Sequence, residues 1–274
     1  MSSALKKLVD RHTTSSNLLV SSRYEQYLEQ NSNIHVDKAV AEFIIDELST
    51  PQRDRRMTFS ASSRGTCPRE QVFRFTELKP VTRFSTSLIA IFHQGTFMHL
   101  KWQALLLDAG ILDEVEVSCV WEDAKLTGTI DGVGIVPDGH ALKADHDKFG
   151  WELKSINSNG YRYLLGSGPK KEHLLQIHAY MLATGLRVWS LCYENKDTQE
   201  WKEYTVHYDE QIAEEVLGEL QYLNDCLDKK ELPPILPECR QMKGVYKNCP
   251  FAHVCLDQHE WPEPVQKKRA IKLR

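Results

Sequence analysis

A strand that carries an acid and an amine on one face is the feature that most limits what this chain can fold into. Trp151-Glu152-Leu153-Lys154-Ser155 places Glu152 and Lys154 two residues apart. In an extended strand these two side chains point the same way, while Leu153 points to the opposite face and into packing. A carboxylate and an ammonium on an apolar strand are costly unless they pair or bind something. Upstream, residues 125–136 alternate as Leu126, Gly128 and Ile130, with Asp131 set among glycines in Gly128-Thr129-Ile130-Asp131-Gly132. If these two strands are neighbours, Asp131 and Glu152 converge. Two convergent carboxylates make a hard-oxygen site for Mg²⁺ or Mn²⁺. The lysine beside them can orient or deprotonate an attacking water, or neutralise a developing phosphorane charge. Spacing alone leaves a plainer reading open: a turn-capping Asp131 and a structural Glu152–Lys154 ion pair.

The rest of the chain supplies the frame. Apolar residues recur at helical spacing over 36–48, from about 68, over 87–107 (interrupted or closed at Gly95), over 169–183 and over 209–230. Thr50-Pro51, Gly185 and Pro233-Pro234 act as stops. Alternation predicts further strands at 115–120, 187–193 and 200–208, with a polar loop at 137–150 and a loop-like final stretch of about 40 residues. This order argues for an α/β fold with one central mixed sheet flanked by helices. The expected organisation is an N-terminal, partly helical extension over 1–55, a single domain over 56–260 and a basic tail over 261–274. With 41% hydrophobic residues the 274-residue chain can bury a core, which excludes disorder as its main state. No apolar run reaches the length of a membrane span and residues 1–23 lack an apolar signal core, so the expected compartment is the cytosol. Net charge is only −4, but residues 53–74 hold six arginines against two acids, and 265–274 hold five cations and no acid. Local patches of this kind, not the total, decide whether a polyanion can dock.

The pattern around the acid-x-lysine strand resembles the PD-(D/E)XK nuclease superfamily, and within it the RecB-type branch. Asp131 followed by Glu152-Leu153-Lys154 is similar to the superfamily core. Gln176-Ile177-His178-Ala179-Tyr180 is similar to the branch's Q-x-x-x-Y motif, and Gly95-Thr96-Phe97-Met98-His99 to its upstream G-x-x-x-H motif. The resemblance implies that His99, Asp131, Glu152 and the Leu153 carbonyl bind the divalent metal. It implies that Lys154 handles the water or scissile phosphate, and that Gln176 and Tyr180 hold the lysine or the DNA backbone. The implied activity is a metal-dependent DNA exonuclease in replication, recombination or repair, its partners being DNA and a second copy or recombination and replication proteins. The length is compatible with a stand-alone phage-encoded enzyme. The alternatives are a non-catalytic DNA-end-binding subunit and a CRISPR-adaptation trimming partner.

The cysteines divide into two groups. Cys119, Cys192 and Cys226 lie in apolar periodic segments and read as core residues. Cys67, Cys239, Cys249 and Cys255 are flanked by Pro, Gly, Asn and Arg and read as loop residues. One cysteine before the catalytic core and three after it resembles the iron–sulfur subset of RecB-type nucleases, which includes the AddB nuclease domain and the CRISPR-adaptation exonucleases. That resemblance implies a [4Fe–4S] cluster stapling the two ends of the domain. Cys239 and Cys249 stand farther apart than the subset's usual C-x-x-C, and zinc with His253 as a ligand is the rival. Arg64, Arg69 and Arg74 around Cys67, with Lys170 and Lys171 opening the Gln176 helix, are the expected phosphate contacts.

Overall fold

A computed structural model describes residues 18–50, 57–81 and 84–262. The elements in chain order are α1 (Ser21–Gln30), α2 (Lys38–Ser49), β1 (Phe59–Ser60), α3 (Pro68–Phe73), α4 (Thr86–Asp108), β2 (Glu114–Trp121), β3 (Leu126–Ile135), β4 (Lys148–Ile156), α5 (Ser158–Ser167), α6 (Lys171–Thr184), β5 (Val188–Asn195), β6 (Trp201–His207), α7 (Glu210–Lys229), α8 (Pro237–Arg240) and α9 (Ala252–Cys255). The strands form one mixed sheet in the order β1-β3-β4-β5-β6, with β2 paired to the other edge of β3. β1 and β3 run parallel, as do β4 and β5, and the remaining pairs are antiparallel.

Apolar side chains on the two sides of the sheet build two cores. One holds Ile130, Leu191 and Tyr193 against Leu174, Ile177 and Tyr180 of α6 and Val216 and Leu220 of α7. The other holds Phe149, Trp151, Leu153 and Cys192 against Trp102 and Leu106 of α4. Leu153 is fully buried there, as strand alternation from Glu152 and Lys154 requires. The same core takes in Leu19, Val20 and Tyr24, from the segment the sequence sets apart as an N-terminal extension. The buried Glu203 carboxylate fixes that segment by accepting from the Leu19, Val20 and Ser21 amides at 2.7–3.3 Å. Residues 1–17, Arg53, Arg55 and Arg56, and the basic run 265–274 lie outside the described residues.

Several boundaries differ from the sequence expectation for physical reasons. α4 runs unbroken through Gly95: one interior glycine costs about 1 kcal/mol, which a 23-residue helix with a Ser85 N-cap absorbs. α5, capped by the Asn157 carboxamide, is an added helix that its short, weakly patterned sequence conceals. The loop-like C-terminal stretch contains α8 and α9, so Cys239 and Cys255 lie in short helices rather than in loops.

Candidate active site

The site forms where β3 and β4 part. Their antiparallel ladder runs from Ile135–Lys148 to Gly132–Trp151 and then stops. The next amide on β4, that of Leu153, donates instead to Asp131 Oδ2 at 2.8 Å. A side chain therefore replaces the missing strand partner, and the opening brings the Asp131 carboxylate over the start of Glu152-Leu153-Lys154. Asp131, Thr129 and Thr127 alternate onto one face of β3. Opposite them, α4 delivers His99. Its Nδ1 donates to the Gly95 carbonyl one turn back at 3.0 Å, which turns Nε2 toward the sheet, 3.1 Å from the Leu153 carbonyl and 3.3 Å from Asp131 Oδ2.

Glu152 is 2% exposed. Its Oε1 accepts from Lys154 Nζ at 2.6 Å and from Gln176 Nε2 at 2.8 Å. Gln176 Oε1 in turn accepts from Lys154 Nζ at 2.9 Å. Glu152, Lys154 and Gln176 thus form a closed triangle. Tyr180, one turn farther along α6, donates to the Thr129 carbonyl at 2.7 Å and lies 3.4 Å from Gln176 Nε2. Its ring passes so close to β3 that a Cβ at Gly128 would meet it at 2.6 Å. Gly128, three residues before Asp131, is a clearance for this tyrosine.

The electrostatics follow from burial and from the pairing of unlike charges. Burial and the Asp131 charge push the Glu152 carboxyl up to about 7, against the opposing pull of Lys154. Burial alone would depress the Lys154 ammonium, but Glu152 and Asp131 outweigh it and raise it. Burial also works against the His99 imidazolium, yet Asp131 and the two carbonyls overcome it and raise the ring to about 9.

Among the described residues, no three His, Cys, Asp or Glu side chains stand in ready-made ligating geometry. Glu152 Oε1 is taken up by Lys154 and Gln176. The donor set nevertheless fits a hard divalent ion. Glu152 Oε2 is buried with no partner, and Asp131 Oδ2, His99 Nε2 and the Leu153 carbonyl lie mutually close. With Nδ1–H committed to Gly95, Nε2 is the nitrogen left for a metal.

The second group of cysteines comes from both ends of the chain and its members act on one another electrostatically, although among the described residues no three of them are grouped in ligating geometry. Burial raises the Cys67, Cys239 and Cys249 thiols, the last to about 11. Neighbouring thiols add to it: Cys239 acts on Cys67, Cys255 on Cys239, and both Cys67 and Cys255 on Cys249. All seven cysteines are free, and Cys255 and Cys249 sit in an apolar cluster with Phe73 and Phe251. His253 is exposed. Cys119, Cys192 and Cys226 are buried in the cores, as their sequence setting indicated.

The expected phosphate contacts need correction at two positions. Arg64 is fully buried, donates to Gln71 and pairs with Glu219 at 3.4 Å. Arg69 is also buried and donates to the Pro233 and Gln258 carbonyls. Arg64 is spent on α3 and α7 and Arg69 on the C-terminal stretch, and their burial keeps both guanidinium groups from a solvent-borne phosphate. Arg74 remains at the edge of a cavity of about 560 Å³ lined also by Thr58, Ser60, Ser62 and Thr127, although it pairs with Glu70 at 2.5 Å. Lys170 and Lys171 are about half exposed and face Glu172 and Glu215.

Two residues that the sequence reading passed over stand at the site. Gln103 Nε2 donates to the Asp131 carbonyl at 3.0 Å and to Glu116 Oε1 at 2.6 Å. The signals were weak but present: Gln103 is four residues past His99 on α4, and Glu116 falls opposite Asp131 in the β2–β3 hairpin.

No family model matches the chain, and no curated protein matches it. Among solved structures it is similar to the crystal structure of SSO0001, at 18% identity and a TM-score of 0.44, covering 79% of this chain and 93% of that one. It is also similar to the alkaline exonuclease LHK-Exo from Laribacter hongkongensis, at 16% identity and a TM-score of 0.46, covering 64% of this chain and 90% of that one. The same exonuclease in complex with dAMP aligns at 15% identity and a TM-score of 0.46, over 64% of this chain and 89% of that one.

Proposed function

We propose that this chain is a divalent-metal-dependent deoxyribonuclease that hydrolyses phosphodiester bonds at DNA ends. One observation carries the reading: Asp131, Glu152, Lys154 and His99 converge where β3 and β4 separate, with a buried carboxylate oxygen left unpartnered among them. Buried polar groups without partners are rare in structural ion pairs and common where a ligand completes the set. Asp131, Glu152, His99 and the Leu153 carbonyl would hold Mg²⁺ or Mn²⁺. The bound ion supplies Lewis-acid charge and lowers the pKa of a water.

The chain's own residues do the rest. Lys154 keeps its proton, because Glu152 and Asp131 outweigh its burial. It serves as a fixed cation for the charge that builds on the scissile phosphate, rather than as a base. Gln176 is a positioning residue, bridging Lys154 and Glu152 so that neither can rotate away. Tyr180 anchors α6 to β3 through the Thr129 carbonyl. With Arg64 and Arg69 buried, Arg74, Lys170 and Lys171 are the cations left for the DNA backbone. Cys67, Cys239, Cys249 and Cys255 would hold a [4Fe–4S] cluster, a role supported by their pairwise electrostatic influence and by the apolar setting of Cys249 and Cys255.

The test is end-labelled DNA incubated with purified protein and Mn²⁺. Release of labelled mononucleotides is expected, with Lys154→Ala and Asp131→Ala each losing about a thousandfold in rate or more at unchanged circular dichroism. If the wild-type protein cleaves no DNA end with Mg²⁺ or Mn²⁺, the reading is wrong.

A further inference from the structure

Asp131 stands at a break in the sheet on both sides. Toward β4 the ladder ends at Gly132–Trp151, one residue short of Asp131. Toward β2 the register passes from Val115–Gly132 to Val117–Ile130 with no Glu116–Asp131 pair between them. The break on that side falls at Glu116, whose φ of 51° lies in the left-handed region. A non-glycine residue enters that region at a cost and stays there only where its surroundings over-determine it. Asp131 is therefore paired with neither of its neighbouring strands at the point where its carboxylate has to be aimed.

The restraint comes from α4 instead. Gln103 is fully buried and lies one turn beyond His99. Its Nε2 donates to the Asp131 carbonyl at 3.0 Å and to Glu116 Oε1 at 2.6 Å. Both partners are acceptors, so only the NH₂ end of the carboxamide satisfies them and the head group has one orientation. Glu116 thus fixes the amide, and the amide fixes the backbone of Asp131. The same helix holds His99 Nε2 3.3 Å from the Asp131 carboxylate, which also accepts from the Leu153 amide at 2.8 Å.

We infer that Gln103 is a positioning residue, oriented by Glu116, which replaces the strand partner that Asp131 lacks and so sets the Asp131 carboxylate against His99. This rests on the metal-dependent reading above. A ligating carboxylate keeps its place only where the groups behind it are locked, and removing such a support lowers metal affinity or rate by about 10–100-fold.

Mn²⁺ affinity of the full chain by calorimetry without DNA, together with kcat and KM on end-labelled DNA, tests this. Gln103→Leu fills the space without a donor, and Gln103→Asn keeps the amide but withdraws it by one methylene. Each should weaken Mn²⁺ binding and lower kcat by about 10–100-fold, with KM for DNA unchanged. Gln103→Lys, whose ammonium reaches both acceptors as a donor, should recover most of both losses. A Gln103→Leu or Gln103→Asn protein that binds Mn²⁺ and turns over like wild type overturns the inference. So does a folded Gln103→Lys protein that performs no better than Gln103→Asn. Both of those outcomes leave the metal-dependent reading in place. If wild type binds no Mn²⁺ and cleaves no DNA end, that reading falls and the inference falls with it.

Discussion

His173 shows how burial and the charges of the site keep a neighbouring ring neutral. It sits near the start of α6, with Nδ1 2.7 Å from the Tyr193 hydroxyl. Burial, with the nearby charges of Lys154 and Lys170, pulls its pKa down to about 3. Unfolded, a histidine titrates near 6.5. Between these values the unfolded chain binds the extra proton, so acid destabilises the fold through this ring. The contribution is fully retained above pH 6.5 and is lost progressively as pH falls toward 3. His173→Gln should therefore flatten the fall in melting temperature between pH 7 and pH 4. Parallel pH profiles for variant and wild type would refute the assignment. The same neighbourhood explains why Lys154 needs its two partners: a buried ammonium persists only where acceptors such as Glu152 and Gln176 take its hydrogen bonds.

At the scale of elements, the decisive event is the divergence of β4 from β3 after Gly132–Trp151. β1 occupies the vacated edge of β3 farther along, pairing Phe59 with Leu126 and Ser60 with Thr127. The gap between β1 and β4 is where Tyr180 reaches the Thr129 carbonyl and Asp131 takes the Leu153 amide. Gly128 makes this possible by leaving room for the tyrosine ring. Gly128→Ala should destabilise the protein by about 1–3 kcal/mol through overpacking, measured by denaturant unfolding. Because the displaced ring lies against Gln176, cleavage should fall further than stability does. A variant that loses neither would show that α6 can retreat from β3 at no cost.

Over the whole molecule, the chain is closed on itself at several points. Glu203 on β6 binds the amides at residues 19–21, and Arg69 ties α3 to the Pro233 and Gln258 carbonyls. Cys67 lies within electrostatic reach of Cys239, 172 residues later. A cluster at these thiols would convert a distant chain closure into a covalent-strength restraint, which is worth most where the intervening loop is long. Anaerobically purified protein should be brown and carry about four irons per chain. Cys67→Ser should bleach the colour and lower the melting temperature, while Cys226→Ser should leave the colour unchanged. A colourless wild-type protein holding one zinc would replace the cluster with a tetrahedral site. Among the described residues no helix is long and apolar enough to cross a membrane.

The sequence by itself determined the local chemistry. Two-residue alternation put Glu152 and Lys154 on one face and Leu153 on the other, and four-residue helical spacing put Gln176 beside Tyr180. These periods depend only on backbone geometry, so they are legible wherever the pattern is strong. Apolar context likewise identified Cys119, Cys192 and Cys226 as core residues. Tertiary structure decided what those residues meet. No local rule marks Arg64 and Arg69 as buried, because their partners Glu219, Pro233 and Gln258 lie about 150 residues or more away. Nor does any local rule announce that the β3–β4 ladder ends at Gly132, since strand separation is set by what packs on either side. Glu116 and Gln103 join the site for the same reason. Each is an ordinary polar residue until the hairpin and α4 bring both against Asp131.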